Sequence, residues 1–179
     1  ATGAVTSTMV GYRLAPRMNA SGRISDAEMS VRLLLAGEYE EALSLARRID
    51  EENTRRQQIE RAILSNARSM IQTDTGIPAS LVLSSPDWHP GVVGLCASRL
   101  CEEFNRPAIL IAIDAARGEG RGSARSIQGF DMYGAIKQCA ALLKAFGGHK
   151  DAAGLTVSVK DIDAFVEKFN KIVQQEFSV

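Results

Sequence analysis

The sequence is poor in the residues that most often bind metal ions or act as nucleophiles. Among 179 residues there are only three cysteines and two histidines. The cysteines (Cys96, Cys101 and Cys139) lack C-x-x-C spacing, so neither a zinc site nor a disulfide framework is indicated. No D-H-H run and no G-x-S-x-G motif occurs. The sequence therefore favours a chain that binds an anionic substrate without cleaving it by itself.

Long apolar runs and an excess of one charge are also missing. No stretch approaches the roughly 18 apolar residues of a membrane-spanning helix, and there is no signal peptide. We therefore expect a soluble, cytoplasmic protein without a membrane partner, whose cysteines are buried thiols in a reducing compartment. The 21 basic and 21 acidic residues cancel. This balance argues mildly against a general nucleic-acid-binding protein, which usually carries a basic excess.

The basic residues are nevertheless unevenly distributed. Residues 1–25 contain three arginines and no acid, and residues 117–126 contain three arginines against one glutamate. These arginines are Arg13, Arg17 and Arg23 in the first segment and Arg117, Arg121 and Arg125 in the second. Two local patches in a neutral chain suggest anion binding at defined places, although a solvated surface would give the same pattern.

The first 75 residues predict two kinds of structure. The segment VGYRLAPRMNASGRIS combines Pro, Gly, Asn and Ser and predicts an irregular loop. A short helix follows, capped by Ser25 or Asp26 and stopped by Gly37. A long helix is predicted over 38–75, where neither Pro nor Gly interrupts an apolar period of three and four residues. Its middle is polar all round, with Asn53 and Arg56 as expected surface residues, which is typical of a helix connecting two domains.

The remaining residues alternate between strand and helix patterns. The predicted strands cover 80–85, 107–114, 121–127 and 154–159, and the predicted helices cover 91–104, 132–146 and the region after Asp161. The fold class is therefore α/β, with a small mixed sheet of about four to five strands flanked by helices and preceded by a long connecting helix. We expect three parts, namely residues 1–37, the helix over 38–75, and a substrate-binding domain over 76–179.

Three segments could carry chemistry. In KAFGGHKDAAGLTV, Gly147 is predicted to end the preceding helix and Gly148 to add a second flexible joint, so that His149 is displayed at a groove. Alternatively, this histidine only caps helix carbonyls. His89 precedes the 91–104 helix and could bind a phosphate there, or could pack on Trp88. The segment GEGRGSARS is a weak phosphate-binding signal, because it lacks the G-K-[ST] ending of a Walker loop.

Five segments taken together resemble one family. They are APRMNASGR, HPGVVGLCASRL, RPAILI, GSARSIQGFDM and FGGHKDAAGLTV. In this order and spacing, over about residues 12–159, they resemble RecJ-type single-stranded-DNA-specific exonucleases. The match is to the C-terminal part of the catalytic core, which is the DHH-associated domain with the helix that joins it to the DHH domain.

The resemblance implies roles for particular residues. His149 would act at the reacting phosphate, and the other implied sites bind nucleic acid or phosphate. These other residues are Ser123, Arg125, Ser126, His89, Gly147, Gly148, Asn19 and Arg23. Pro90 and Ala124 depart from the family pattern, but neither removes a proposed ligand.

The resemblance also implies partners and cofactors. The expected partners are single-stranded DNA and a DHH domain of the same polypeptide, with manganese or magnesium in that domain and no cofactor in this chain. The chain is thus expected to be an inactive fragment of a 5′-to-3′ exonuclease. Two alternatives stay open: a DHH phosphodiesterase of short oligonucleotides or cyclic dinucleotides, and a non-catalytic nucleic-acid-binding module.

Overall fold

A computed structural model describes residues 4–71 and 76–177, except for the side chain of residue 177. The chain forms two compact units, Ala1–Ile59 and Glu60–Val179. The helix α4 (Tyr39–Ile71) contributes residues to both units. The sequence predicted three parts with other boundaries, and that division stays a prediction.

The described part of the first unit is mostly helical from Ser7 onward. It contains α1 (Ser7–Met9), a π-helical turn (Val10–Leu14), α2 (Ala15–Ile24), α3 (Glu28–Leu35) and the first part of α4. The predicted loop over VGYRLAPRMNASGRIS was therefore wrong. Pro16 is the second residue of α2 and directly follows the π-helical turn, where the backbone is already helical. The predicted short helix is confirmed, but its N-cap is Ala27, so the predicted cap at Ser25 or Asp26 was wrong. The Asp26 carboxylate still accepts the N–H of Glu28 from just before the helix.

Small polar side chains hold α2 against α3. The hydroxyl oxygens of Ser21 and Ser30 lie 2.9 Å apart, and both residues are buried. Each hydroxyl is also within 2.9 Å of the Met18 carbonyl oxygen. Buried hydroxyls need such partners, because an unpaired one would cost its hydration energy. This interhelical contact depends on tertiary packing, so local turn residues could not reveal it.

The long helix is confirmed over Tyr39–Ile71, and residues 72–75 of the prediction lie outside the described residues. At about 1.5 Å per residue, its 33 residues extend about 50 Å. The polar middle of this helix was predicted to be solvent-exposed, but Asn53 is only 5% exposed and Glu60 only 4%. The side-chain oxygen of Asn53 accepts hydrogen bonds from Arg56, and the Glu60 carboxylate pairs with Arg99. These partners allow polar groups to be buried.

The second unit contains a five-stranded mixed sheet in the order β1-β2-β3-β5-β4. The strands are β1 (Leu81–Ser85), β2 (Ala108–Asp114), β3 (Glu119–Arg125), β4 (Leu143–Gly148) and β5 (Ala152–Ser158). β1 and β2 are parallel and joined through α5 (Val93–Phe104), whereas the other neighbours are antiparallel. The predicted fold class is confirmed.

One predicted helix is much shorter than expected. α6 (Met132–Gln138) is capped by Asp131, whose carboxylate accepts the N–H of Gly134. It ends at Gln138, and after a 3₁₀ turn the chain forms β4. The prediction of a helix through Phe146, with Gly147 as its C-terminal glycine, was therefore wrong. Pairing with β5 overrides the helix propensity of the sequence ALLKAF.

The main core lies between one face of the sheet, here called the inner face, and α6 and α7 (Ile162–Phe177). Ile109, Ile111 and Leu155 are among its strand residues, and Phe165 and Phe169 lie on α7 as predicted. The opposite face, here called the outer face, packs on α5 along β2 and β3. Within residues 4–71 and 76–177, none of the helices combines the length and the apolar character that a membrane span requires.

Candidate nucleic-acid interface

The outer face of the sheet is covered on one side and open on the other. Strand alternation places Arg121, Ser123 and Arg125 on this face, because Ala124 between them is buried in the inner core. Ser123 pairs with Gly154 on β5, and Gly154 pairs with Gly147 on β4. Both glycines are exposed. The covering helix therefore leaves a row of bare backbone across β5 and β4.

This bare region forms a shallow surface groove of about 440 Å³, here called the glycine groove. It is lined by Arg121, Gly122, Ala145, Phe146, Gly147, Gly154, Leu155 and Thr156. A Cβ atom added at Gly147 would meet no atom within 4 Å, and one at Gly154 would meet only the Gly122 carbonyl oxygen at 3.8 Å. Packing within the described residues thus does not require glycine at either position. What these glycines provide is open backbone that a ligand can approach closely.

Gly148 has a different role from Gly147. Its φ of 144° lies in the region that favours glycine. An added Cβ would also lie 2.5 Å from the Cα of Ala153 and would collide with the Ala152 carbonyl oxygen. Gly148 is therefore required by the turn between β4 and β5, which agrees with the predicted flexible joint although no helix precedes it.

His149 is exposed in that turn, and its backbone N–H donates to the Ala152 carbonyl oxygen at 2.8 Å. Ala152 pairs with Arg125 on β3. His149 and Arg125 therefore lie at the same end of the sheet, separated by two strand spacings, or about 10 Å between backbones. The alternative in which His149 caps helix carbonyls is wrong, because a strand precedes it.

Arg125 is built into the contact between β3 and α5. Its Nε donates to the Ser98 hydroxyl at 3.1 Å, and its Nη1 donates to the Ala124 carbonyl oxygen at 2.7 Å. A Cβ at Gly94 would lie 3.2 Å from its Nη2 and 2.8 Å from the Ser123 hydroxyl. The guanidinium and Ser123 therefore lie against the first turns of α5. Ser98 was not identified from the sequence, since its spacing to Arg125 has no local signal.

Ser126 and His89 both make local hydrogen bonds. The Ser126 hydroxyl donates to the Phe130 carbonyl oxygen at 2.7 Å, so in this conformation its only proton serves the following turn. The Nδ1 atom of His89 accepts the N–H of Gly91 at 3.1 Å. This acceptor role places the hydrogen of the neutral imidazole on Nε2, which makes Nε2–H the donor. Phosphate binding by either residue stays a prediction.

Asn19 and Arg23 lie in the first unit, on α2 rather than in a loop. They are four residues apart and therefore occupy one face of the helix. Both are exposed and line a surface concavity of about 470 Å³ together with Met18, Gly22 and residues of α3. The structure thus brings these two predicted residues together, and their proposed function remains untested.

Charged and titratable groups near the sheet have identifiable partners. Lys144 donates to the Glu119 carboxylate at 2.7 Å. This hydrogen bond, followed by the lysine charge, lowers the pKa of Glu119; burial opposes it, and Arg117 and Arg121 lower the pKa further. Burial, followed by the charge of Glu102, raises the pKa of the Cys101 thiol, and Arg125 partly opposes this. Burial also raises the pKa of the Cys139 thiol, and the charge of Lys168 partly opposes it. All three cysteines are buried, as predicted.

Comparisons with known proteins identify relatives of the chain. A family model described as the DHHA1 domain matches residues 74–175. The chain is 39% identical over 170 residues to the single-stranded-DNA-specific exonuclease RecJ of Bacillus subtilis, covering 95% of this chain and 22% of that protein. It also resembles the crystal structure of RecJ from Thermus thermophilus in complex with Mg²⁺, with a TM-score of 0.85 and 33% identity over 94% of this chain and 26% of that one. A crystal structure of exonuclease RecJ bound to manganese gives a TM-score of 0.83 and 33% identity over 95% of this chain and 42% of that one.

Proposed function

Because the chain belongs to the DHHA1 domain family, we propose that it is the strand-binding part of a 5′-to-3′ exonuclease for single-stranded DNA. In this proposal the chain holds the strand and orients a phosphodiester bond that a DHH domain of the same polypeptide hydrolyses. The names of the RecJ relatives support the substrate class. The chain spans only 22% of the B. subtilis protein, so hydrolysis is assigned to a part that it does not match. Cytoplasmic location and a role in DNA repair and recombination belong to the same proposal.

The observation that carries the proposal is the glycine groove on the outer face. Proteins that bind single strands combine an open, positively charged groove with close approach to the sugar-phosphate backbone. Gly147 and Gly154 keep the floor of the groove bare, and Arg121 lies on its wall. The groove therefore offers bare backbone and one positively charged side chain.

The predicted site residues have separate roles in this proposal. His149, exposed at the end of β4, contacts the reacting phosphate. Ser123 and Arg125 contact a neighbouring phosphate, and Ser98 orients the Arg125 guanidinium. His89 donates from Nε2 to the strand. Ser126 shapes the turn through its hydrogen bond to Phe130.

Metal ions need a site outside the described residues. The two solved RecJ structures are complexes with Mg²⁺ and with manganese, ions that prefer oxygen ligands such as carboxylates. Among residues 4–71 and 76–177, no group of three or more His, Cys, Asp or Glu residues could hold an ion. These side chains do not fit a metal centre, so we assign the metal to the DHH domain, next to which Asn19 and Arg23 are proposed to lie.

The proposal is tested with the purified 179-residue chain and a fluorescein-labelled thymidine 12-mer. Fluorescence anisotropy is expected to show binding at low salt. The logarithm of the affinity should fall by about 0.7 per logarithmic unit of salt for each phosphate neutralised. With manganese added, the chain alone should leave the oligonucleotide intact.

Three results would contradict parts of this proposal. Absence of binding at low salt would remove the strand-binding function. Competition by a cyclic dinucleotide as effective as that of the 12-mer would favour a small-molecule phosphodiesterase. Cleavage by the chain that is abolished by His149→Ala would contradict the assignment of hydrolysis to another domain.

A further inference from the structure

Arg121 lies between two concave surfaces on the outer face of the sheet. One is the glycine groove over β5 and β4. The other is a cleft of about 530 Å³, here called the proline cleft, which Arg121 also lines. The pairing register explains this position, because Arg121 lies opposite Ala112 of the cleft on one side and Thr156 of the groove on the other. A ligand that passes from one surface to the other must cross β3 beside Arg121.

The proline cleft has the size and chemistry of a site for one nucleotide unit. Its volume is within the range of small-ligand pockets. Pro86 and Pro90 are exposed and provide apolar surface against which a base can pack. Arg117 and Asp114, which pair with each other, both line the cleft, so its unpaired positive charge comes from Arg121. The cleft is also preformed, because the Trp88 indole is 5% exposed and its Nε1–H donates to the Asn66 side-chain oxygen at 2.9 Å.

The arginines of the segment 117–126 differ in the hydrogen bonds and ion pairs that their side chains already make. Arg125 donates to Ser98 and Ala124. Arg117 pairs with the Asp114 carboxylate at 3.5 Å. Arg121 is exposed, and within the described parts of the chain its guanidinium makes no hydrogen bond or close ion pair, although its charge helps to lower the pKa of Glu119. An exposed guanidinium between two concavities suits a phosphate, which can accept two of its five N–H donors side by side.

Resting on the proposed function, we propose that Arg121 contacts a phosphate of the bound strand where it crosses β3, and that the adjoining nucleotide enters the proline cleft. The binding surface is then wider than the glycine groove. It runs from Ala145 on β4 to Ala112 on β2, three strand spacings or about 14 Å. The sequence placed Arg121 in a basic patch, but the register is what separates it from Arg117 and Arg125.

The test compares Arg121→Gln with Lys171→Gln, using the labelled thymidine 12-mer. Both changes remove one positive charge, but Lys171 lies on α7, which packs on the inner face, and pairs with Glu167. Arg121→Gln should weaken binding about tenfold or more, as loss of a charged hydrogen bond does. It should also reduce the salt slope by about 0.7, which corresponds to one phosphate. Lys171→Gln should change neither value, and Arg121→Lys should restore most of the salt slope.

The second half of the proposal has its own readout. Amide chemical shifts of the wild-type chain, recorded with the thymidine 12-mer, should change at Ala115 in the proline cleft as well as at Gly147. Wild-type binding with an unchanged slope in Arg121→Gln would overturn the arginine contact and leave the proposed function standing. Shifts at Gly147 without shifts at Ala115 would overturn the nucleotide position. No binding by the wild-type chain would instead contradict the proposed function itself.

Discussion

The two halves of the outer sheet face differ in the size of their side chains and in how far they are covered. Beneath α5, Ala108 and Leu110 are completely buried. On the same face, Gly147 and Gly154 remain exposed in the part of the chain that the structure describes. Glycine within a strand costs roughly 0.5–1 kcal/mol relative to alanine. Packing does not require glycine at either position, and the ligand binding that we propose would give a reason for both glycines.

The largest expected effect comes from the covered half. Leu110→Ala removes a completely buried side chain beneath α5 and should lower the free energy of unfolding by about 2–5 kcal/mol. The matched change on the open half is Thr156→Ala, which should cost less than about 1 kcal/mol, because Thr156 contributes mainly strand propensity. Urea unfolding of both variants measures the difference. Equal losses would show that the open half also carries the packing of the sheet.

A smaller effect separates two adjacent glycines of the open half. Gly148→Ala should destabilise the chain by roughly 1–3 kcal/mol, since it places a side chain at positive φ and against β5. Gly147→Ala should leave the stability unchanged or raise it slightly, because its Cβ would meet no neighbour. Thermal unfolding of the two variants checks this order. If Gly147→Ala were the more damaging change, the description of the groove as unpacked backbone would be wrong.

Most of the fold could be predicted from local patterns. The strands β1, β2, β3 and β5 and the helices α3 to α5 and α7 follow apolar periodicity with small errors at their ends. β4 was missed because its sequence also suits a helix, and only the long-range partner β5 decides between the two. The helix α2 was missed because proline, glycine and asparagine suggest a turn unless the contact with α3 is known. The family resemblance drawn from five short segments is confirmed by the comparisons.

The candidate site was less accessible from the sequence. The types of residue were informative, since histidine, serine and arginine beside glycine suggest phosphate binding. Their geometry depends on strand register, which places His149 beside the partner of Arg125 and makes Arg121 the boundary between two concavities. Register is set by pairing across the sheet, and a local pattern does not contain that information.

The most direct test fills the groove without disturbing the fold. Gly147→Leu introduces a side chain where a Cβ has no neighbour within 4 Å, so its melting temperature should match that of the wild-type chain. Its affinity for the thymidine 12-mer should fall at least tenfold, because the side chain occupies the surface that the strand needs. A folded Gly147→Leu variant that binds the oligonucleotide as tightly as the wild-type chain would contradict our account of this face.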